Sequence, residues 1–231
     1  MNSDIVDSVF AGVSFSIFFL YHLFYLYLIK KRPHMTSYGQ NQAVRRAWVQ
    51  SIMTSNLDGK KDIVAVQTIR NGLMASSLLA STSLTLSSAV AAFLLNTDKL
   101  NNVSKLHLFG PMGIGLHPVY KLFLLIFFFL AAFFAFMQSI RAAGHASYAI
   151  GVPLEMNGSF VDCRYVEHML QRGASFYTMG TRAFYAAFIV LLWLFGPIPS
   201  LVGTVGMVSV CYLLDIHHHK KYRQQALASP I

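Results

Sequence analysis

The chain carries several apolar runs, each about as long as a bilayer is thick, and no other feature constrains its fold as strongly. A hydrocarbon core of ~30 Å takes ~20 apolar helical residues to cross. Residues 5–29 form one such run, which stops at Lys30-Lys31-Arg32-Pro33. Residues 74–95 and 119–137 form two more, the last with seven phenylalanines. The final stretch, 175–216, would extend ~60 Å as one helix. It is interrupted by Gly196-Pro197-Ile198-Pro199-Ser200, and two prolines with Gly and Ser read as a turn. The expectation is an all-α polytopic transmembrane helix bundle with five spans, at 5–29, 74–95, 119–137, 175–195 and 201–216. Four spans with a long bent last helix is the alternative.

Composition agrees with a single integral membrane domain over 1–231. Apolar residues make up 55% of the chain and charged residues 12%, whereas a soluble surface carries ~25–35% charge. Disorder, a collagen-like fibre and an ordinary soluble enzyme are excluded. Residues Asp4 and Asp7 lead into the first run without a basic segment, so a signal peptide is not expected.

The net charge of +9 reports orientation. With five spans and the N-terminus outside or lumenal, 15 of the 18 Lys and Arg fall on the cytoplasmic side, on or beside segments 30–73, 138–174 and 217–231. Four spans would place only 12 there, so the positive-inside rule favours five. Anionic lipids of the cytoplasmic leaflet are the natural partner of these residues, and nucleic acid is not expected. The plasma membrane and the endoplasmic reticulum fit equally.

Residues 42–55 show helical apolar spacing at Val44, Trp48 and Ile52, flanked by Val49 and Met53, with Arg45 and Arg46 on other faces. Two readings follow: an amphipathic helix on the membrane surface, with Arg45, Arg46 and Trp48 on anionic lipid, or a connecting helix packed on its own protein. Arg70 and Arg141 sit at predicted inner ends of spans and read as interfacial anchors; Lys121 and Arg182 read as snorkelling residues.

Several runs occur together in order: Tyr21-His22, Arg45-Arg46-Ala47-Trp48-Val49, and the long run from Lys60-Lys61-Asp62 through Gln67-Thr68-Ile69-Arg70-Asn71. Gln138-Ser139-Ile140-Arg141, Gly180-Thr181-Arg182-Ala183-Phe184-Tyr185 and Trp193-Leu194-Phe195-Gly196-Pro197 follow. On these the chain resembles the plant membrane family catalogued as domain of unknown function 599, from the first helix to about Asp215. The resemblance implies a multi-pass membrane protein. It carries no established activity and no catalytic residue.

The polar residues inside apolar runs are where function is expected. Ser77, Ser81 and Thr85 repeat every four residues and form one stripe, suited to close helix packing or to lining a pore. His22 lies within the first span and reads either as an aromatic-packed core residue or as a proton- or ion-responsive site. Asp215-Ile216-His217-His218-His219 resembles a metal cluster, but adjacent histidines on a helix point ~100° apart. The tract reads as an interfacial tail, and no metal site is expected. Phosphate-loop, dinucleotide, nucleophile-elbow and zinc-protease motifs are absent from the sequence, so neither a cofactor nor a catalytic residue is expected. The leading expectation is a homo-oligomeric membrane protein forming or regulating an ion-permeable pore. The alternative is a non-enzymatic adaptor presenting its cytoplasmic segments to protein or lipid partners. A lipid-modifying enzyme using His145, Glu167 and His168 is the weakest reading.

Overall fold

A computed structural model describes residues 3–54, 60–96, 118–152 and 162–216. The sequons at Asn102 and Asn157 and the histidines at 217–219 lie outside these residues. All regular structure among the described residues is helical: α1 (Ser3–Lys31), a short 3-10 turn (Pro33–Met35), α2 (Ser37–Met53), α3 (Lys60–Leu94), α4 (Pro118–Ala149), α5 (Cys163–Phe195) and α6 (Pro197–Asp215). Five of these, all but α2, are long and apolar enough to cross a membrane.

The break at Gly196 is a hairpin. Gly196 adopts a φ of 137°, a conformation open to glycine at little cost. Pro197 then starts α6, where its missing N–H costs nothing. A continuous helix would hold Arg182 and Asp215 ~50 Å apart, yet the two side chains form an ion pair. A Cβ on Gly203 would also fall 2.0 Å from the Leu192 side chain, so the two helices lie against one another directly below the turn. The second proline, Pro199, is accommodated inside the first turn of α6.

Three helices are longer than the apolar runs that announced them. α3, α4 and α5 hold 35, 32 and 33 residues, or ~50 Å each, against a hydrocarbon core of ~30 Å. The surplus lies at residues 60–73 of α3, 138–149 of α4 and 163–174 of α5; the sequence reads as helix from about Asp62 and over 162–172, whereas 142–149 reads as loop. Asp162 starts α5 by accepting a hydrogen bond on its side chain from Tyr165 N at 2.7 Å, satisfying one of the free N–H groups of the first turn.

These projecting ends make a platform for α2. Val49 is fully buried and joins Ala65, Ile69, Ala149, Ile150 and Val166, with Trp48, Ile52 and Met53 packed against them. The apolar face of α2 therefore docks on the chain's own helices. The docked face is centred on Val49; Val44, which begins the sequence pattern, is 66% exposed. The connection from α1 is tightly held. Thr36 caps α2 by accepting from Gly39 N at 3.1 Å and pairs with Ile216 in an antiparallel bridge. Ser37 donates to the Leu214 carbonyl at 2.6 Å. Gly39 is required here, because a Cβ would lie 2.2 Å from the Pro33 carbonyl oxygen.

Candidate functional site

A cavity of about 760 Å³ lies between α2 and the helices that support it. Its floor is made of small residues: Gly72, Ala75 and Ser76 from α3, Ser139 and Ala143 from α4, and Gly173 and Ala174 from α5. Small side chains on three neighbouring helices leave the space that larger ones would fill. Tyr38, Val44, Arg45 and Trp48 of α2 form the opposite wall, while Arg182 and Asp215 close one end. The volume is within the ~300–1,000 Å³ range of sites that enclose a small ligand.

A chain of polar contacts runs along the wall. Ser175 donates to the Gln171 carbonyl at 2.9 Å, which commits its one proton. Tyr38 therefore donates to Ser175 across their 2.6 Å contact, and Gln171 Nε2 donates to Tyr38 at 2.7 Å. The Gln171 oxygen accepts from Arg45 Nε at 3.3 Å and Nη2 at 3.1 Å. Among the described residues no carboxylate pairs with Arg45. Burial pushes its guanidinium below the ordinary arginine value, partly offset by Tyr38. An arginine nevertheless stays charged at any physiological pH. Arg46 differs: it is exposed and bound to Glu167 at 2.5 Å.

At the end of the cavity, Asp215 is held by Arg182 and accepts a hydrogen bond from Tyr21 at 2.7 Å. Arg182 also stacks against Tyr25 and Tyr185, 5.4 and 5.6 Å from the ring centroids. This Asp215 belongs to an ion pair, and Arg182 does not snorkel to an interface. His22 lies next to this cluster in α1. Its Nδ1 is 2.7 Å from the Phe18 carbonyl, so Nδ1 must carry the proton. The ring packs on Phe18 and Tyr21. Its Nε2 is buried with no hydrogen-bond partner among the described residues.

A second ion pair, fully buried, sits at the opposite end of the bundle. Lys121 Nζ is 3.1 Å from Asp7, and each side chain is 1% exposed. Trp193 ties the pair together. Its Nε1 donates to Asp7 at 2.9 Å, its carbonyl accepts from Lys121 at 3.3 Å, and its ring lies 4.5 Å from the ammonium. Lys121 thus turns inward and does not snorkel. Local patterns could not reveal this, because the three residues are far apart in sequence.

The hydroxyls of α3 divide between two faces. Ser76, Ser83 and Ser87 are buried together with Ala80, and Ser76 faces Ser139 of α4 at 3.4 Å. This is the small-residue face that α3 uses within the chain. Ser77, Ser81 and Thr85 all point outward, so they cannot line a passage inside one copy. Arg70 and Arg141 are both exposed, and Trp48 is half-buried beside the cavity. Glu167 is engaged by Arg46, while His145 and His168 are exposed.

Comparison with curated proteins and with solved structures finds no match. A family model described as protein of unknown function, DUF599, matches residues 9–220. With nearly the whole chain covered and five helices long and apolar enough to span a bilayer, this is an integral membrane protein that belongs to the DUF599 family.

Proposed function

We propose that the protein is a non-enzymatic membrane protein that takes an amphipathic ligand from the cytoplasmic leaflet into the cavity beneath α2. One observation carries this reading: a largely apolar cavity of about 760 Å³ that holds a half-buried arginine with no carboxylate partner among the described residues. A guanidinium is expensive to remove from water unless something compensates it, and an amphiphile matches both the charge and the apolar wall. The excess of Lys and Arg on the segments around α2 supports a cytoplasmic position for the cavity. A ligand there touches α2 directly, so occupancy alters the surface that α2 and the start of α5 present to partners. That is an adaptor's role.

Gly72 provides the test. A Cβ at this position meets nothing within 4 Å, so Gly72→Phe adds bulk at the cavity floor with no clash at its Cβ. It also removes a helix-interior glycine, worth a few tenths of a kcal/mol of added helix stability when phenylalanine replaces it. Amphiphiles retained after purification in mild detergent are extracted and quantified by mass spectrometry. The wild-type protein is expected to retain a species enriched over bulk lipid, and Gly72→Phe is expected to lose it. Identical lipid profiles for the two proteins contradict the reading.

A second reading concerns assembly. α3 is the least buried of the five spans, and its outward stripe of Ser77, Ser81 and Thr85 would allow close approach by a second copy. In such a homo-oligomer the stripe either seals a helix pair or lines an axial ion path, and recordings from the purified oligomer in planar bilayers separate the two. In a background lacking Cys163 and Cys211, Ser81→Cys is expected to cross-link under oxidation, whereas Ser209→Cys, exposed on α6, is not. Equal cross-linking at both positions contradicts an α3 interface.

A further inference from the structure

The charges around the cavity narrow the ligand to an amphiphile with a single negative charge. Among the described residues, three that line the cavity carry formal charge: Arg45, Arg182 and Asp215. Arg182 and Asp215 neutralise each other, and Arg45 remains as a single unmatched positive charge. Two of its five N–H groups are spent on Gln171, which fixes the plane of the guanidinium. The floor opposite offers Gly72, Ala75 and Ala143, with no charged group among them.

We infer, resting on the cavity reading above, that the ligand is a single-chain carboxylic acid, a fatty acid of the leaflet, with its carboxylate on Arg45 and its chain across the small-residue floor. A carboxylate carries one negative charge and matches the one unmatched guanidinium, in the planar geometry this group recognises best. A phosphate monoester carries about −1.5 to −2 at neutral pH and would leave charge uncompensated in an apolar site. An uncharged chain of the same length fills the floor but leaves Arg45 as it was. The network of Gln171, Tyr38 and Ser175 holds the guanidinium in place before the ligand arrives, which lowers the ordering cost of binding.

The experiment compares palmitate, hexadecanol and palmitoyl lysophosphatidic acid. Each is titrated against the full-length protein in non-ionic detergent, by displacement of radiolabelled palmitate. Palmitate is expected to bind saturably, and hexadecanol ~10- to 100-fold more weakly, the span set by a charged hydrogen-bonded pair. Arg45→Gln should bring palmitate down to the level of hexadecanol, Arg45→Lys should recover part of the difference, and Arg46→Gln should change neither ligand. Gly72→Phe should abolish binding of both. Hexadecanol binding as tightly as palmitate to the wild-type protein, with Gly72→Phe still abolishing both, would overturn the acid assignment and keep the cavity. Tighter binding of the lysophosphatidic acid than of palmitate would overturn the carboxylate in favour of a phosphate head. Binding that survives Gly72→Phe for every ligand would overturn the cavity reading itself. The wild-type comparison of ligands requires no variant, so a variant that misfolds cannot obscure the outcome.

Discussion

Lys121→Met is expected to destabilise the bundle by about 3–5 kcal/mol, the usual cost of removing one partner from a buried ion pair. The Asp7 carboxylate keeps its Trp193 hydrogen bond but loses the ammonium 3.1 Å away. Asp7→Asn is expected to cost a similar amount, since it leaves the ammonium of a side chain that is 1% exposed with a ring and a carbonyl as its partners. The double variant Asp7→Asn/Lys121→Met carries neither charge and should recover most of the loss, because removing both charges also removes both desolvation penalties. Thermal unfolding followed by circular dichroism in lipid nanodiscs measures the cycle. Additive single effects would mean that the two groups do not interact. The pair joins the starts of α1 and α4 to the end of α5, so the loss should appear as reduced cooperativity across all three helices.

The second large effect is expected at the cavity end. Asp215→Ala leaves Arg182, only 16% exposed, among Tyr25, Tyr185 and Tyr21 without its carboxylate. A loss of about 3–5 kcal/mol is again expected. Tyr21→Phe removes only the hydrogen bond to Asp215 and should cost about 1.5–3 kcal/mol, as for other hydrogen bonds to charged groups. Limited proteolysis adds a second readout. Asp215 is the last residue of α6, and the next residue, Ile216, bridges to Thr36. Asp215→Ala should therefore expose the 32–37 connection to protease, whereas Lys121→Met, at the other end, should leave it protected in the folded fraction. Equal cleavage in the two variants would argue against a local anchor at Asp215.

The spans were legible because a bilayer demands a fixed length of apolar helix, and the runs at 5–29, 74–95 and 119–137 each meet it. The hairpin at Gly196 was legible through its glycine and prolines. Helix from about Asp62 and over 162–172 was legible too, but the extension of α4 through 142–149 reads as loop, and the platform that the three ends make emerges only with α2 docked on them. Arg45 shows the limit of periodicity. The spacing of Val44, Trp48 and Ile52 assigns it to a polar face, but α2 docks through Val49 and so turns Arg45 toward α5. The two ion pairs were out of reach for a different reason. Asp7, Lys121, Arg182 and Asp215 each sit at or near the end of an apolar run, where interfacial anchoring is the ordinary explanation, and only the packing of the helices pairs them. The serine stripe was seen, but the face that α3 uses within the chain is the neighbouring one, through Ser76, Ala80, Ser83 and Ser87.

A palmitate analogue with a photoreactive diazirine midway along its chain reports directly where the ligand lies. The analogue is incubated with the protein in nanodiscs and irradiated, and the adducts are located by peptide mass spectrometry. A ligand seated on Arg45 with its chain across the cavity floor predicts adducts concentrated on α3 around Gly72 and Ala75 and on α5 around Gly173 and Ala174, competed by excess palmitate and absent in Gly72→Phe. Adducts spread over the exposed apolar residues Leu78, Leu84 and Phe127, unaffected by competitor or by Gly72→Phe, would contradict a ligand site beneath α2.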